Sequence, residues 1–355
     1  MPSLLPNPET GSANPSASLP ALWAYIQPAL DHIIRSPTND LSKAPAVDVN
    51  YHMGVHTALY NYFTSNETSA PPHSSSTAKT TLPRTHTRGS SAALPPGHDI
   101  YDKLDAYFAE VAREVLLGAP LDDSALLHYL VPCFIRYSAG AQSIHRLLNY
   151  VNRQYVRRAV DEDKGWLRFG DIVSSELAER SSGTRGDGPC TGSHKRIAEK
   201  MRERRAAELR RWGAPEGATA EQLALAEACA EAASASKHVV PVLSLAYRRF
   251  RTQVLEPLLT VPNAKRKYQK KKRKQGEDGA TTAAVVGSAA DVEEAATGPK
   301  GRLARSVKEL LESKGGDEEE RNRLASEMAE MLMRAGIRPD HPLRRRLRKY
   351  SVAVT

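Results

Sequence analysis

This chain lacks the features that most often reveal a function early. No apolar run approaches the roughly 18 residues of a membrane span. The first residues, MPSLLPNPETGSANPSAS, have neither a basic opening nor an apolar stretch, so no secretory signal is expected there. There are only three cysteines, Cys133, Cys190 and Cys229, and they lie far apart. They form neither a disulfide framework nor paired metal spacing, a usage that suits a reducing compartment. Cys190 and His194 stand four apart without two further ligands, so no metal site is expected. Nucleophile elbow, phosphate-binding loop, zinc-protease and dinucleotide motifs are all missing, so neither an enzyme nor a bound cofactor is expected. Aromatic residues make up 6% of the chain. That is too few for a packed core throughout, so part of the chain is expected to stay unfolded.

What the chain does have is positive charge and helical periodicity. The formal net charge is +9 over 355 residues. Much of the excess lies in one run: Lys265, Arg266, Lys267, Lys270, Lys271, Lys272, Arg273 and Lys274. Such a run cannot fold alone; it reads as a solvated linker, or as a segment that attracts polyanions or a nuclear import receptor. A single tyrosine, Tyr268, is too little for a base-stacking platform. A second basic cluster spans Arg344 to Lys349.

Apolar residues at three- and four-residue spacing predict a series of helices. Leu19 to Arg35 is the first, with Pro28 expected to kink it or to start a new turn. Asp48 to Ser65 is the second: Val55, Leu59, Tyr62 and Phe63 form a core stripe, and His52, Met53, His56 and Tyr60 share another side. His98 to Leu117 is a third, ended by Gly118 as a C′ residue. A fourth opens near Pro120, with Asp122 or Asp123 as cap and Pro132 as an interruption. In Gln142 to Arg158, Ile144, Leu147, Leu148, Val151 and Tyr155 form one apolar stripe over three turns. Asn149, Asn152, Arg153 and Val156 form a second stripe, expected to face outward. The stretches at 195–212 and 219–234 have high helix propensity but thin, alanine-dominated apolar faces.

Several of these strings resemble the N-terminal region of cullins, in the style of fungal cullin-1 proteins. The clearest is LNYVNRQYVRR, where Tyr150, Val151, Asn152, Arg153, Val156, Arg157 and Arg158 fit the helix that closes the first cullin repeat. Met53, Val55, Thr57, Tyr60, Asn61, Tyr62, Thr64 and Ser65 fit the family's second helix. There His52 and His56 replace two tyrosines, leaving a flat ring with less apolar area, so docking should be weaker or pH-sensitive. Trp23, Pro28, Asp31, Ile33 and Ile34 fit the opening helix, and Tyr101, Leu104 and Phe108 the third. Ser244, Leu245, Ala246, Arg248, Phe250, Pro257 and Leu258 fit the first helix of the second repeat, with two extra residues ahead of Pro257.

The resemblance implies an all-α cullin-repeat solenoid, one repeat plus part of a second. On this scheme residues 1–18 are a disordered tail and 19–165 the first repeat, interrupted by low complexity at 66–97. A polar Ala/Arg/Glu-rich insertion occupies 166–237. The first helix of the second repeat is 238–262, a basic then Gly/Ala-rich linker 263–300, its later helices 301–350, and a short tail 351–355. The resemblance further implies a non-catalytic scaffold of an SCF-type ubiquitin ligase, working in ubiquitin-dependent protein catabolism in cytoplasm and nucleus. Its expected partner is a Skp1-like adaptor carrying an F-box substrate receptor, docked on His52, Met53, His56, Tyr60, Asn149, Asn152 and Arg153. The domain that would hold a RING-box subunit is not matched in the sequence, so the chain is expected to be a truncated member without that partner. No membrane partner is expected, and nucleic acid is not expected as the main one. The alternative reading is a nucleic-acid-associated protein acting through 265–274.

Overall fold

A computed structural model describes residues 14–68, 97–171, 174, 193–260, 301–313 and 317–354. All the regular elements among them are helices. The fold class is therefore all-α, as the periodicity predicts. In chain order the helices are α1 (Leu19–Arg35), α2 (Val49–Thr68), α3 (His98–Leu117) and α4 (Asp123–Leu147). Next comes α5, made of Asn149–Val151, a π turn Asn152–Val156 and Arg157–Asp161. Then follow α6 (Ser193–Arg211) and α7 (Ala220–Ala233). Helix α8 is likewise composite: Val242–Phe250, a π turn Arg251–Leu255 and Glu256–Leu259. The last are α9 (Arg302–Glu312), α10 (Glu318–Arg334) and α11 (Pro342–Val354). The basic run 265–274 and the low-complexity stretch 69–96 lie outside the described residues.

Local chemistry sets several helix starts. The Ser18 hydroxyl accepts from the Ala21 amide at the start of α1. Thr219 and Gln222 form a reciprocal capping box on α7. Asp317 caps α10, and Glu318, Glu319 and Glu320 place negative charge at its positive end. Both prolines lie inside continuous helices, so Pro132 does not interrupt α4, and α1 runs on through Pro28. Buried residues flank both, Ile26 and Ala29 in α1, Leu130 and Phe134 in α4. That packing offsets the lost backbone bond. Gly118 is not a left-handed cap, since it is absent from the positive-φ glycines. Its role is space: a Cβ there would sit 2.4 Å from the Tyr129 hydroxyl, which donates to the Val115 carbonyl at 2.9 Å.

The chain divides into two compact units, Met1–Phe108 with Ile135–Ala246, and Ala109–Phe134 with Tyr247–Thr355. The unit boundaries fall inside α3, α4 and α8. In the first unit, Leu22, Ile26, Leu30, Ile33, Val55, Leu59, Ile100, Leu104, Phe108, Ile144, Leu148 and Val151 are fully buried. Polar side chains fasten this core at its edges. The Tyr101 hydroxyl donates to the Val240 carbonyl at 2.9 Å and accepts from the Val240 amide at 3.0 Å. The Tyr137 hydroxyl donates to the Ala246 carbonyl at 2.9 Å. From α4, Arg136 donates to the carbonyls of Ile33 and Ser36 at the end of α1, at 2.5 and 3.1 Å. Those carbonyls have no helical partner of their own, so the guanidinium serves as their cap.

The alanine-rich helices also belong to this unit. Leu209, Trp212, Ala214, Ala226, Cys229, Ala230 and Ala232 are buried, and Arg205 of α6 forks onto Glu227 of α7 at 2.8 and 2.9 Å. Small residues make a thin stripe, but they let helices approach closely, so a thin stripe suffices for packing. In the second unit Leu303, Val307, Met328, Met331 and Leu332 are fully buried. Asp123 at the start of α4 takes Arg302 at 3.2 Å and Arg305 at 2.7 Å. The α8 π turn absorbs an additional residue just ahead of Pro257, where the string carries two more residues than the pattern it resembles.

Candidate functional site

The site of interest is where α2 meets α5. The expected continuous helix over Gln142 to Arg158 does not form. Gln142 to Leu147 closes α4, and Leu148 turns the chain with φ −100° and ψ 26° before α5 begins. The turn is held by the Leu148 amide on the Ile144 carbonyl at 2.8 Å and the Val151 amide on Leu148 at 3.0 Å. Both pieces still bury the predicted stripe: Ile144, Leu147, Leu148, Val151 and Tyr155 are all buried.

The second stripe is rearranged by the π turn. A π turn closes over five residues and rotates everything after it relative to an α-helical register. Val156, expected outside, is buried at 4% exposure. Asn152 is half-buried and both ends of its amide are engaged. Its Nδ2 lies 3.2 Å from His145 Nδ1, and its Oδ1 accepts from the Val242 amide at 2.9 Å. Asn152 thus ties α4 and α5 to the start of α8. Burial lowers the His145 pKa, and the neighbouring Arg146 charge lowers it further. A neutral imidazole there is able to accept from the amide. Asn149 and Arg153 remain exposed, one on each side of Tyr150 along α5.

Tyr150 is the residue that joins the two helices. Its ring stands edge-on to His56, Phe63 and Tyr60 of α2, at centroid distances of 5.4, 5.5 and 6.0 Å. Behind this contact, α2 packs inward through Tyr51, Val55, Leu59, Tyr62 and Phe63, all buried. The Tyr62 hydroxyl donates to Asp99 on α3, and the Tyr51 hydroxyl donates to the Tyr25 carbonyl on α1. The buried backbone-facing Tyr51 has its pKa pushed up to about 12 by burial, with the Tyr25 hydroxyl adding to it. It therefore remains a neutral donor.

The outward side of α2 is also partly apolar. Val49, Met53 and Tyr60 are 73%, 58% and 51% exposed, and His56 is exposed between the last two. Residues 49, 53, 56 and 60 follow i, i+4, i+7 and i+11, so they share one helix face. His52 lies off that line and is half-buried. The structure thus gathers Met53, His56, Tyr60, Asn149 and Arg153 around the Tyr150 contact, and draws Asn152 inward. Val49 is a further exposed member of this face, and its spacing of four from Met53 is legible in the string. That Tyr150 bridges two helices is not legible in the string, because spacing within one segment does not show contacts with another. Among the described residues, no three His, Cys, Asp or Glu side chains gather where they could hold a metal ion. No helix among them is long and apolar enough to cross a membrane.

The geometry defines an all-α protein in which α2 exposes Val49, Met53, His56 and Tyr60 on one face. Comparison with known proteins narrows this further. No family model matches the chain, and no solved structure matches it. Over 150 residues it is 24% identical to Cullin-1 of Dictyostelium discoideum. The similarity covers 42% of this chain and 18% of that protein, so the chain spans a small part of the length of the curated relative. The chain is therefore similar to a cullin at a distance.

Proposed function

We propose that this chain is a non-catalytic, cullin-type scaffold that docks a Skp1-like adaptor, with its F-box substrate receptor, on the outward side of α2 and the adjoining part of α5. The observation that carries this reading is the Tyr150 contact, which sets an exposed Met53–His56–Tyr60 line beside exposed Asn149 and Arg153. The distant similarity to Cullin-1 supports it independently. Interfaces concentrate binding energy in a few aromatic and methionine anchors, ringed by polar residues, and this surface has that composition. A scaffold acts by position: it raises the effective concentration of a substrate near a reactive partner without itself making or breaking bonds. His52 and Asn152 contribute from beneath this face, His52 half-buried and Asn152 through the backbone it fixes. The run 265–274 serves nuclear import in this reading, giving a protein of cytoplasm and nucleus.

Calorimetric titration with a purified Skp1-like adaptor tests the assignment. Met53→Ala should cost on the order of 1–2 kcal/mol of binding free energy, with His56→Ala adding a smaller loss. Unchanged affinity in the double variant would place the docking face elsewhere.

A further inference from the structure

The second unit carries a charged surface that the scaffold reading does not use. Helix α11 begins PLRRRLRKY, with five cations in six positions from Arg344 to Lys349. The fold separates them into two groups. Arg344 donates to the Ile337 carbonyl at 2.8 Å, and Arg346 pairs with Glu312 at 2.6 Å. Leu343 and Leu347 are buried between them, so this side of the helix is fastened to its unit. Arg345, Arg348 and Lys349 are exposed on the other side. Their spacing, i, i+3 and i+4, places them on one face. None of the three is ion-paired among the described residues. Arg338, exposed in the turn before α11, adds a fourth cation in the same unit. The carboxylate of Glu312 is already taken by Arg346, and Asp340 is the acid of the same turn.

Like charges at this spacing repel and weaken a helix. The helix is held despite that repulsion by its buried leucines, and a polyanion would relieve it. We propose that the exposed face of α11, through Arg345, Arg348 and Lys349, binds the phosphate backbone of nucleic acid without reading sequence. The arrangement favours nucleic acid over a lipid surface. A membrane-lying helix needs apolar residues on its free face beside the cations. Here Leu343 and Leu347 point into the unit and are not available. Tyr350 is half-buried and is the aromatic residue nearest the cations in sequence, so bases have no row of rings on which to stack. Affinity from phosphate contacts alone is independent of sequence and falls steeply with salt.

The test uses the full chain and a fluorescent mixed-sequence DNA duplex, with anisotropy read over a range of salt concentrations. The triple variant Arg345→Gln, Arg348→Gln, Lys349→Gln removes the cations and also their mutual repulsion, so the helix should keep its circular dichroism. It should bind about tenfold or more weakly at low salt, and the slope of log affinity against log salt should fall by about 2.7, roughly 0.9 for each phosphate no longer neutralised. A second variant, Arg345→Lys with Arg348→Lys, keeps the charge and should bind like the parent. A third replaces the eight cations of 265–274 by Gln and should retain a component that the triple change abolishes. The proposal is overturned if the triple variant binds the duplex with unchanged affinity and slope, or if all binding disappears with 265–274. Binding to phosphatidylserine vesicles with none to the duplex would also overturn it, in favour of a membrane surface.

Discussion

Replacing Tyr150 with alanine should detach the outer part of α2 from α5. The ring stands edge-on to His56, Phe63 and Tyr60 at 5.4, 5.5 and 6.0 Å. Aromatic pairs of this kind contribute about 0.5–1.5 kcal/mol each beyond their buried area. Tyr150 is half-buried and two of its partners are exposed, so the lower end of that range applies. The expected total loss is about 2 kcal/mol, a large share of the ~5–15 kcal/mol that keeps a domain folded. Trp23, Trp166 and Trp212 all lie in the first unit, so tryptophan fluorescence during urea unfolding reports on the unit that contains Tyr150. The alanine variant should lower the urea midpoint with little change in slope. Tyr150→Phe keeps the ring in place and should cost under about 1 kcal/mol. A double-mutant cycle with His56→Ala should return a coupling near 0.5–1 kcal/mol. Amide exchange in α2 should quicken selectively, and affinity for the adaptor should fall although Tyr150 is only half-buried beneath the proposed face. An unmoved midpoint together with unaltered exchange in α2 would refute the claim that this ring holds the two helices together.

Two more outcomes follow from the structure. Gly301, at φ −59°, is unstrained, but an added Cβ would stand 2.3 Å from the Leu259 carbonyl oxygen and 2.5 Å from its carbon. No rotamer relieves a clash with backbone, so Gly301→Ala should destabilise the second unit by about 1–3 kcal/mol; amide exchange in α9 that matches the parent would disprove this. His145 has a folded-state pKa below its ordinary value, because burial and Arg146 oppose its charge. The unfolded chain therefore takes up a proton that the folded chain resists. Stability is full above the ordinary histidine range and is lost as pH falls through the depressed folded value. His341 in the second unit is lowered by burial in the same sense. The tryptophan-detected urea midpoint should drop on acidification through that window, and His145→Gln should flatten the drop; an equal drop in the variant would exclude His145 as the cause.

Much of the fold was legible in the string because amphipathic spacing is a local property. The stripes through Leu22, Leu104 and Ile144 mark buried faces whatever their neighbours are, since a helix repeats every 3.6 residues. Helix ends were less legible. Pro132 predicts an interruption by local rules, yet burial on either side carries α4 through it. The alanine-rich stripes of α6 and α7 are thin, and their fit is visible only with the neighbouring helix in place. Asn152 and Val156 show the limit most clearly. Spacing alone puts them on an outer face, but in the fold Val156 at the end of the π turn is buried, and the Asn152 amide meets His145 and Val242.

The sequence by itself determined the all-α class, the apolar stripes, the excess positive charge and which residue types were available for docking, because these depend on composition and near-neighbour spacing. Tertiary structure decided which of those residues meet. It set Tyr150 against His56, Tyr60 and Phe63, and engaged Arg344 and Arg346 inside their unit while leaving Arg345, Arg348 and Lys349 free of ion pairs among the described residues. The physical reason is that a contact between residues nearly a hundred positions apart depends on how whole helix faces pack, and packing is settled jointly by every face in the core rather than by any one segment.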